Sequence, residues 1–199
     1  MHEIERIKKE LLNDRIILFP TDTVYGLLAN GYSKQAMDNL FLIKNRPKEK
    51  TFAIFIDKKR ISHYAELNNR NRILFEKFTP GSVTFILKNK DKNLSHLEME
   101  GKIGIRIPKN KFLQELLENL NFPIIATSAN ISGKNTPTHY ENIDEAIKNH
   151  ELTHNINYEY LLDENPTGLS SSIFDISSDE IKILREGEIT LHDLYISTQ

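Results

Sequence analysis

Residues 15–20 read RIILFP, and residues 20–27 continue PTDTVYGL. The first stretch is a short apolar run with paired β-branched isoleucines, closed by a proline, which is the pattern of a buried strand. The second sets Thr21, Asp22, Thr23 and Tyr25 where that strand ends. Ligands of open α/β sheets bind beyond the strand ends, so these polar side chains form a candidate binding turn. They equally suit a tight turn closed by side-chain-to-backbone hydrogen bonds.

Outward from this unit, helical and strand patterns alternate. Ile4, Ile7, Leu11 and Leu12 fall at helical spacing before it. After it, Ala36, Leu40 and Ile43 share a helical face, with Ser33 as N-cap and Pro47 as the stop. Residues 51–56 (TFAIFI), 82–88 (SVTFILK), 102–108 (KIGIRIP) and 123–127 (PIIAT) read as strands. Residues 61–67, 70–78 and 111–120 read as helical, and a further helix is expected near 143–149. Residues 158–163, 171–177 and 181–186 read as late strands, and 190–196 as a closing helix. Such alternation predicts an α/β fold, a sheet with helices packed on it. The polar stretch 89–102 is the expected mobile loop, and it and residues 132–138 are the expected closing segments.

With 199 residues the chain fits one domain at roughly 100–200 residues per domain. It contains no Cys, which excludes a disulfide scaffold, a thiolate metal site and a Cys nucleophile. A net charge of −2 argues against a generally basic nucleic-acid coat, though not against a local basic pocket. The opening residues, MHEIERIKKELLNDR, lack an apolar signal core, and no run approaches the ~20 apolar residues of a membrane span. A cytoplasmic location is expected.

Several residues could carry chemistry. Residues 26–33, GLLANGYS, have the glycine spacing of a phosphate-binding P-loop, but Tyr32 stands where the lysine is required, which rejects that class. Lys44, Arg46, Lys48 and Lys50 cluster where a helix ends, suited to phosphate oxygens or simply to the helix C-terminus. Arg106 lies between isoleucines in a strand, where an unpaired charge is too costly, so it needs an ion-pair partner or an anionic ligand. Arg185 poses the same question. Ser128, Asn130 and the serines 170–172 put small polar groups at strand ends. Residues 150–154, HELTH, match a zinc-protease motif that requires a helix. No third ligand is evident and the segment lacks apolar packing, so a surface helix end is the competing reading.

In order, PTDTVYGL, KNRPKEK, PGSVTFIL, IGIRIP, PIIATSANISGKNTPT, SSSIFDIS and ILREGEI resemble the YrdC-like family of threonylcarbamoyl-adenylate synthases. The resemblance runs over residues 18–189, and the Lys-x-Arg and Ser-x-Asn pairs in this order are specific to the family. It implies a twisted mixed sheet with flanking helices and a concave, positively charged cavity, in a single domain over residues 1–199. It also implies an activity: L-threonine, bicarbonate and ATP, with Mg²⁺, give threonylcarbamoyl-AMP and pyrophosphate. That product feeds modification of tRNAs reading ANN codons, through a separate transferase complex. No membrane partner is implied.

The resemblance also implies roles. Lys44 and Arg46 would be catalytic cations on the ATP phosphates. Arg46, Lys50, Lys102, Ser128, Asn130, Thr136 and Arg185 would bind ATP, and Thr23, Arg106, Ala126 and Ser171 would bind threonine. No protein-held metal ligand is implied. The chain departs from the family pattern at Phe55, where some members have His, at Thr127 for Pro, Ser170 for Glu, Ser172 for Thr, and Glu186 for Pro. The alternative reading is a non-catalytic RNA-binding or ribosome-maturation module, taking tRNA or double-stranded RNA on the same basic surface. A domain related to larger carbamoyl-transferring chains is a third.

Overall fold

A computed structural model describes residues 2–47, 51–155 and 166–196. After helix α1 (His2–Leu12), strand β1 (Ile16–Pro20) turns directly back as β2 (Tyr25–Asn30), with Pro20 opposite Tyr25. Most of the segment whose glycines mimic a phosphate loop, residues 26–30, thus lies in a fully buried strand, one that the residue pattern did not announce. Helix α2 (Lys34–Lys44) follows, its first turn capped by Ser33, whose Oγ accepts from Ala36 N. It ends at Asn45, which takes up the left-handed conformation before Pro47 is reached.

The chain continues through β3 (Ala53–Phe55), α3 (Ile61–Tyr64), α4 (Asn69–Phe78), β4 (Val83–Lys88) and β5 (Lys102–Arg106). Then come α5 (Lys111–Asn119), β6 (Ile124–Ser128), α6 (Glu145–Lys148), β7 (Thr153–Asn155), β8 (Ser172–Asp175), β9 (Lys182–Arg185) and α7 (Leu191–Ile196). Among the described residues the strands form one mixed sheet in the order β7-β1-β2-β6-β3-β5-β4-β8-β9. The α/β expectation holds, as does the mixed sheet with flanking helices.

Two local readings are corrected. Residues 89–102 do not form an open loop: Leu94 and Leu97 are buried in the core, and Thr51 Oγ1 donates to Leu97 O at 2.7 Å. Buried Asp91 accepts from Tyr32 Oη at 2.6 Å and ties the segment to the sheet. The HELTH motif is not helical: its first residues form a turn and its last enter β7, which pairs in parallel with β1. His154 Nε2 lies 3.1 Å from Arg6, so the two histidines do not share a helix face. The strand expected at 158–163 lies outside the described residues.

Side-chain alternation divides the sheet into two faces. On one, Ile16, Leu18, Leu27, Ala29, Ile54, Phe85 and Ile105 pack with α2 and α4 in the larger core. On the other, Ile17, Phe19, Leu28, Phe55 and Ile124 pack against Ile4, Ile7 and Leu11 of α1 and Leu113, Leu116 and Leu117 of α5. These two helices cover only the half of that face around β1, β2 and β6. Helix α5 can start immediately after β5 because Asn110 Oδ1 accepts from Leu113 N at 2.8 Å. Asn110→Ala is expected to cost about 1 kcal/mol through loss of this cap, read as a shift in the denaturant midpoint.

Candidate active site

The uncovered half of the second face forms the floor of a cavity of about 190 Å³. A row of register partners explains the hollow. Leu28 pairs with Ala126, Ala126 with Ala53, Ala53 with Gly104, and Gly104 with Ile86. Three successive positions of this row carry a methyl group or nothing. A Cβ on Gly104 would sit 3.3 Å from Ala53 Cβ, so the row is already closed to larger side chains.

Polar groups rim this floor. Thr21, Thr23, Thr51, Thr84, Ser128, Ser170 and Ser171 reach the walls, together with Arg46, Arg106 and Arg185. Among the described residues no carboxylate lines the cavity. A second hollow of about 510 Å³, between Asp57 and Glu118, differs in kind. There Lys58 pairs with Glu76 and Lys59 with Glu118, so cation and carboxylate are already matched.

The turn at residues 21–24 closes on itself. Thr21 Oγ1 donates to Val24 O at 2.6 Å and lies 3.1 Å from Thr23 Oγ1. The self-closed turn is therefore observed, and it presents Thr23 to the cavity. Arg106 comes from β5, beside its register partner Phe55, with the guanidinium 5.5 Å from that ring's centroid. Nε donates to Gly81 O at 3.0 Å, one Nη to Thr23 Oγ1 at 2.9 Å, and the other to Asp22 Oδ2 at 2.8 Å. Each Nη carries two hydrogens, so one on each remains for a ligand. Arg106 thus has its ion pair and still faces the cavity.

Arg46 lies 4.9 Å over the Phe52 ring and donates to Thr51 O at 2.9 Å. Arg185 donates to Ser171 O at 2.8 Å and to Ser171 Oγ at 3.0 Å, while Ser171 Oγ lies 3.0 Å from Thr84 Oγ1. Burial lowers the pKa of all three guanidiniums, and for Arg185 the charge of Arg106 adds to it. Arginine nonetheless stays charged in proteins. Burying like charges together is costly unless an anion joins them, so the arrangement favours an anionic ligand.

The remaining expected residues fall in three groups. Ala126, Ser128 and Ser171 line the cavity with Thr23 and the arginines. Lys44, Lys102, Asn130 and Thr136 are not lining residues. Lys102 Nζ is paired with Asp175 at 3.0 Å. The Lys44 amine donates to Ser128 O, and to Asn130 O at 2.6 Å. Lys50 lies outside the described residues. Thr51, Phe52 and Thr84 were not singled out from the sequence, although Thr84 alternates with buried Val83 and Phe85 and so had to face the other side.

A cavity without carboxylates does not fit a cation held by the protein itself, since Mg²⁺ is bound through carboxylates or substrate phosphates. Asp22, the adjacent acid, is turned to Arg106.

Fold and site together define an α/β protein with an arginine-lined pocket on a half-covered sheet face. The chain belongs to the Sua5/YciO/YrdC family, described under telomere recombination, which it matches over residues 9–187. A putative threonylcarbamoyl-AMP synthase of Methanocaldococcus jannaschii is 35% identical over 96% of this chain and 88% of its own length. The threonylcarbamoyl-AMP synthase of Bacillus subtilis is 32% identical over 90% of this chain. The crystal structure of Pyrococcus abyssi Sua5 complexed with L-threonine superposes with a TM-score of 0.78 at 24% identity, covering 98% of this chain. This chain spans about half of those two longer relatives, 52% of the B. subtilis protein and 56% of the P. abyssi chain.

Gly187 holds one wall of the cavity in place. A Cβ there would overlap Ser170 O and come within 2.7 Å of Ser172 N. Gly187→Ala is expected to cost about 1–3 kcal/mol in stability through overpacking. It should also weaken binding of an anionic ligand by displacing Ser171 and, with it, Arg185. Thermal unfolding and ligand titration of the same variant measure the two effects.

Proposed function

We propose that the chain is a threonylcarbamoyl-AMP synthase, joining L-threonine, bicarbonate and ATP with release of pyrophosphate. The observation that carries this reading is the set of three arginines around a carboxylate-free cavity next to Thr23. The names of the relatives supply the chemistry, and the threonine-bound P. abyssi protein shares the fold.

In this reading the free Nη hydrogens of Arg106 hold the threonine carboxylate, while Thr23, Ala126 and Ser171 surround the rest of the amino acid. The cavity of about 190 Å³ is below the range of roughly 300–1,000 Å³ for pockets that enclose larger ligands. It therefore takes the amino acid and the reacting phosphate, and the adenosine extends past its mouth. The threonine amine condenses with bicarbonate to give a carbamate, with loss of one water. A carbamate oxygen attacks the α-phosphorus of ATP, the α–β bridging bond breaks, and pyrophosphate leaves. ATP arrives as its Mg²⁺ complex, a substrate rather than a resident cofactor.

The protein's contribution is placement and charge. Arg46 and Arg185 neutralise the triphosphate as charge moves to the leaving group, in a site where guanidiniums are already oriented. Ser128 and Ser170 also line the cavity. The product would serve threonylcarbamoyl modification of tRNAs reading ANN codons, completed by a transferase complex in the cytoplasm. Among the described residues no helix is long and apolar enough to cross a membrane. A cavity of this size admits a small molecule and not an RNA helix, which disfavours a purely RNA-binding module.

Incubation with ATP, labelled bicarbonate and L-threonine should release pyrophosphate only when threonine is present. No threonine-dependent release would overturn the proposal. Arg46→Ala should lower kcat/KM by about 10²–10³-fold with an unchanged circular dichroism spectrum. Normal turnover in that variant would remove Arg46 from the site.

A further inference from the structure

We infer that Lys44 is a positioning residue: its buried ammonium clamps the loop at residues 128–132 and orients Ser128, and it does not itself touch phosphate. The inference refines the ATP side of the proposed synthase and rests on that reading for its ligand arm.

Lys44 is 1% exposed although it is the last residue of its helix. Its amine donates to Ser128 O, to Asn130 O at 2.6 Å and to Asn130 Oδ1 at 3.4 Å. An ammonium has three N–H donors, and here three oxygens of one short loop face them. The other end of the same residue holds the loop too, because Ser132 N donates to Lys44 O at 2.9 Å. One residue thus binds both ends of a loop more than 80 positions away in sequence, leaving no hydrogen on Nζ for a ligand.

The contacts carry on to the cavity wall. Asn130 Nδ2 donates to Lys134 O at 2.7 Å and to Ile131 O at 3.2 Å. Carbonyls can only accept and an ammonium can only donate, so the Asn130 amide has a single possible orientation. Its Oδ1 then accepts from Ser128 Oγ at 2.5 Å. Ser128 lines the cavity, whereas Lys44 and Asn130 do not. Lys44 therefore reaches the ligand through Asn130 and Ser128. Burial, with the charge of Arg46 adding to it, brings the Lys44 amine down to about 7, the mark of a group enclosed by protein rather than open to solvent.

Lys44→Met keeps the length of the side chain and removes its donors. In the ligand-free protein this variant should raise hydrogen exchange at the amides of residues 128–132 about tenfold, with exchange in β1, β2 and β5 unchanged. Calorimetry should show ATP affinity lowered about tenfold, and threonine affinity held within about twofold because Arg106 and Thr23 lie on other elements. Asn130→Ala should weaken ATP similarly, and the double variant should be no worse than the weaker single one. Arg46→Ala should weaken ATP while leaving loop exchange as in the parent.

Weakened ATP binding in Lys44→Met with unchanged loop exchange would show direct phosphate contact and overturn the inference. So would strict additivity with Asn130→Ala. If Lys44→Met does not fold, Lys44→Gln, which keeps two donors, should give intermediate exchange, and parental exchange in that variant overturns the clamp equally. If the parent protein binds neither ATP nor threonine, the synthase reading fails while the exchange experiment still decides the clamp.

Discussion

The structure depends on one geometric constraint: a sheet face that two helices cover only in part. Helices α1 and α5 pack on the large side chains Ile17, Phe19, Leu28, Phe55 and Ile124. Beyond them the register row Ala126, Ala53, Gly104 offers almost no side-chain volume to pack against. A helix laid there would bury little apolar area and gain correspondingly little free energy. The bare floor therefore persists without any special support, and its neighbours supply polar walls instead of a lid. The cavity is a consequence of residue size along one row of hydrogen-bonded partners.

The arginines follow from that same floor. A guanidinium needs room for its planar group and an apolar surface for its stem. Phe52 and Phe55 provide that surface for Arg46 and Arg106, each ring within 6 Å of the cation above it. Asp22 offsets the charge of Arg106, but the recorded acceptors of Arg185 are the neutral carbonyl and hydroxyl of Ser171. Among the described lining residues the cations therefore outnumber the carboxylates, an arrangement suited to a ligand carrying carboxylate or phosphate. That is a binding preference built from cost, and it accounts for a near-neutral chain presenting a cationic pocket.

Much of this was legible in the residues, and the failures have physical causes. Strand β1, the Ser33 cap of α2 and strands β5 and β6 follow from periodicity and capping, because side-chain pattern and backbone preference agree there. Strand β2 was hidden since Gly26, Leu27, Leu28, Ala29 and Asn30 include no β-branched residue, and only burial between β1 and β6 makes them extended. Lys44 was grouped with Arg46, Lys48 and Lys50 as a cation for phosphate, yet it stands at i, i+4 spacing from Leu40 and Ala36 on the buried stripe of α2. A lysine on such a stripe must find acceptors inside, and that signal was available. Residues 89–102 looked mobile because they are polar, but Leu94 and Leu97 alone suffice to anchor them in the core.

Arg185 was singled out from the sequence, but strand alternation alone would put it on the wrong face. Alternation along β9 sets Ile181, Ile183 and Arg185 on one face, and both isoleucines pack into the larger core. Strict pairing would therefore drive the guanidinium into that core. The ladder shifts instead: Phe174 faces Ile183, but the preceding residue of β8, Ile173, faces Arg185. Leu184 is the extra residue of this bulge and is left exposed. The shift moves Arg185 to the face of Ile173, which is the cavity face. Such a bulge is tolerated at β9 because this strand ends the sheet and has only β8 to satisfy, whereas a central strand would lose pairing on both sides. Close approach of Gly187 to the backbone at Ser170 and Ser172, and the bond from Ser172 Oγ to Ile189 O at 2.6 Å, then fix the shifted strand. The third cation of the pocket is thus positioned by backbone register and by a glycine as well as by its bonds to Ser171.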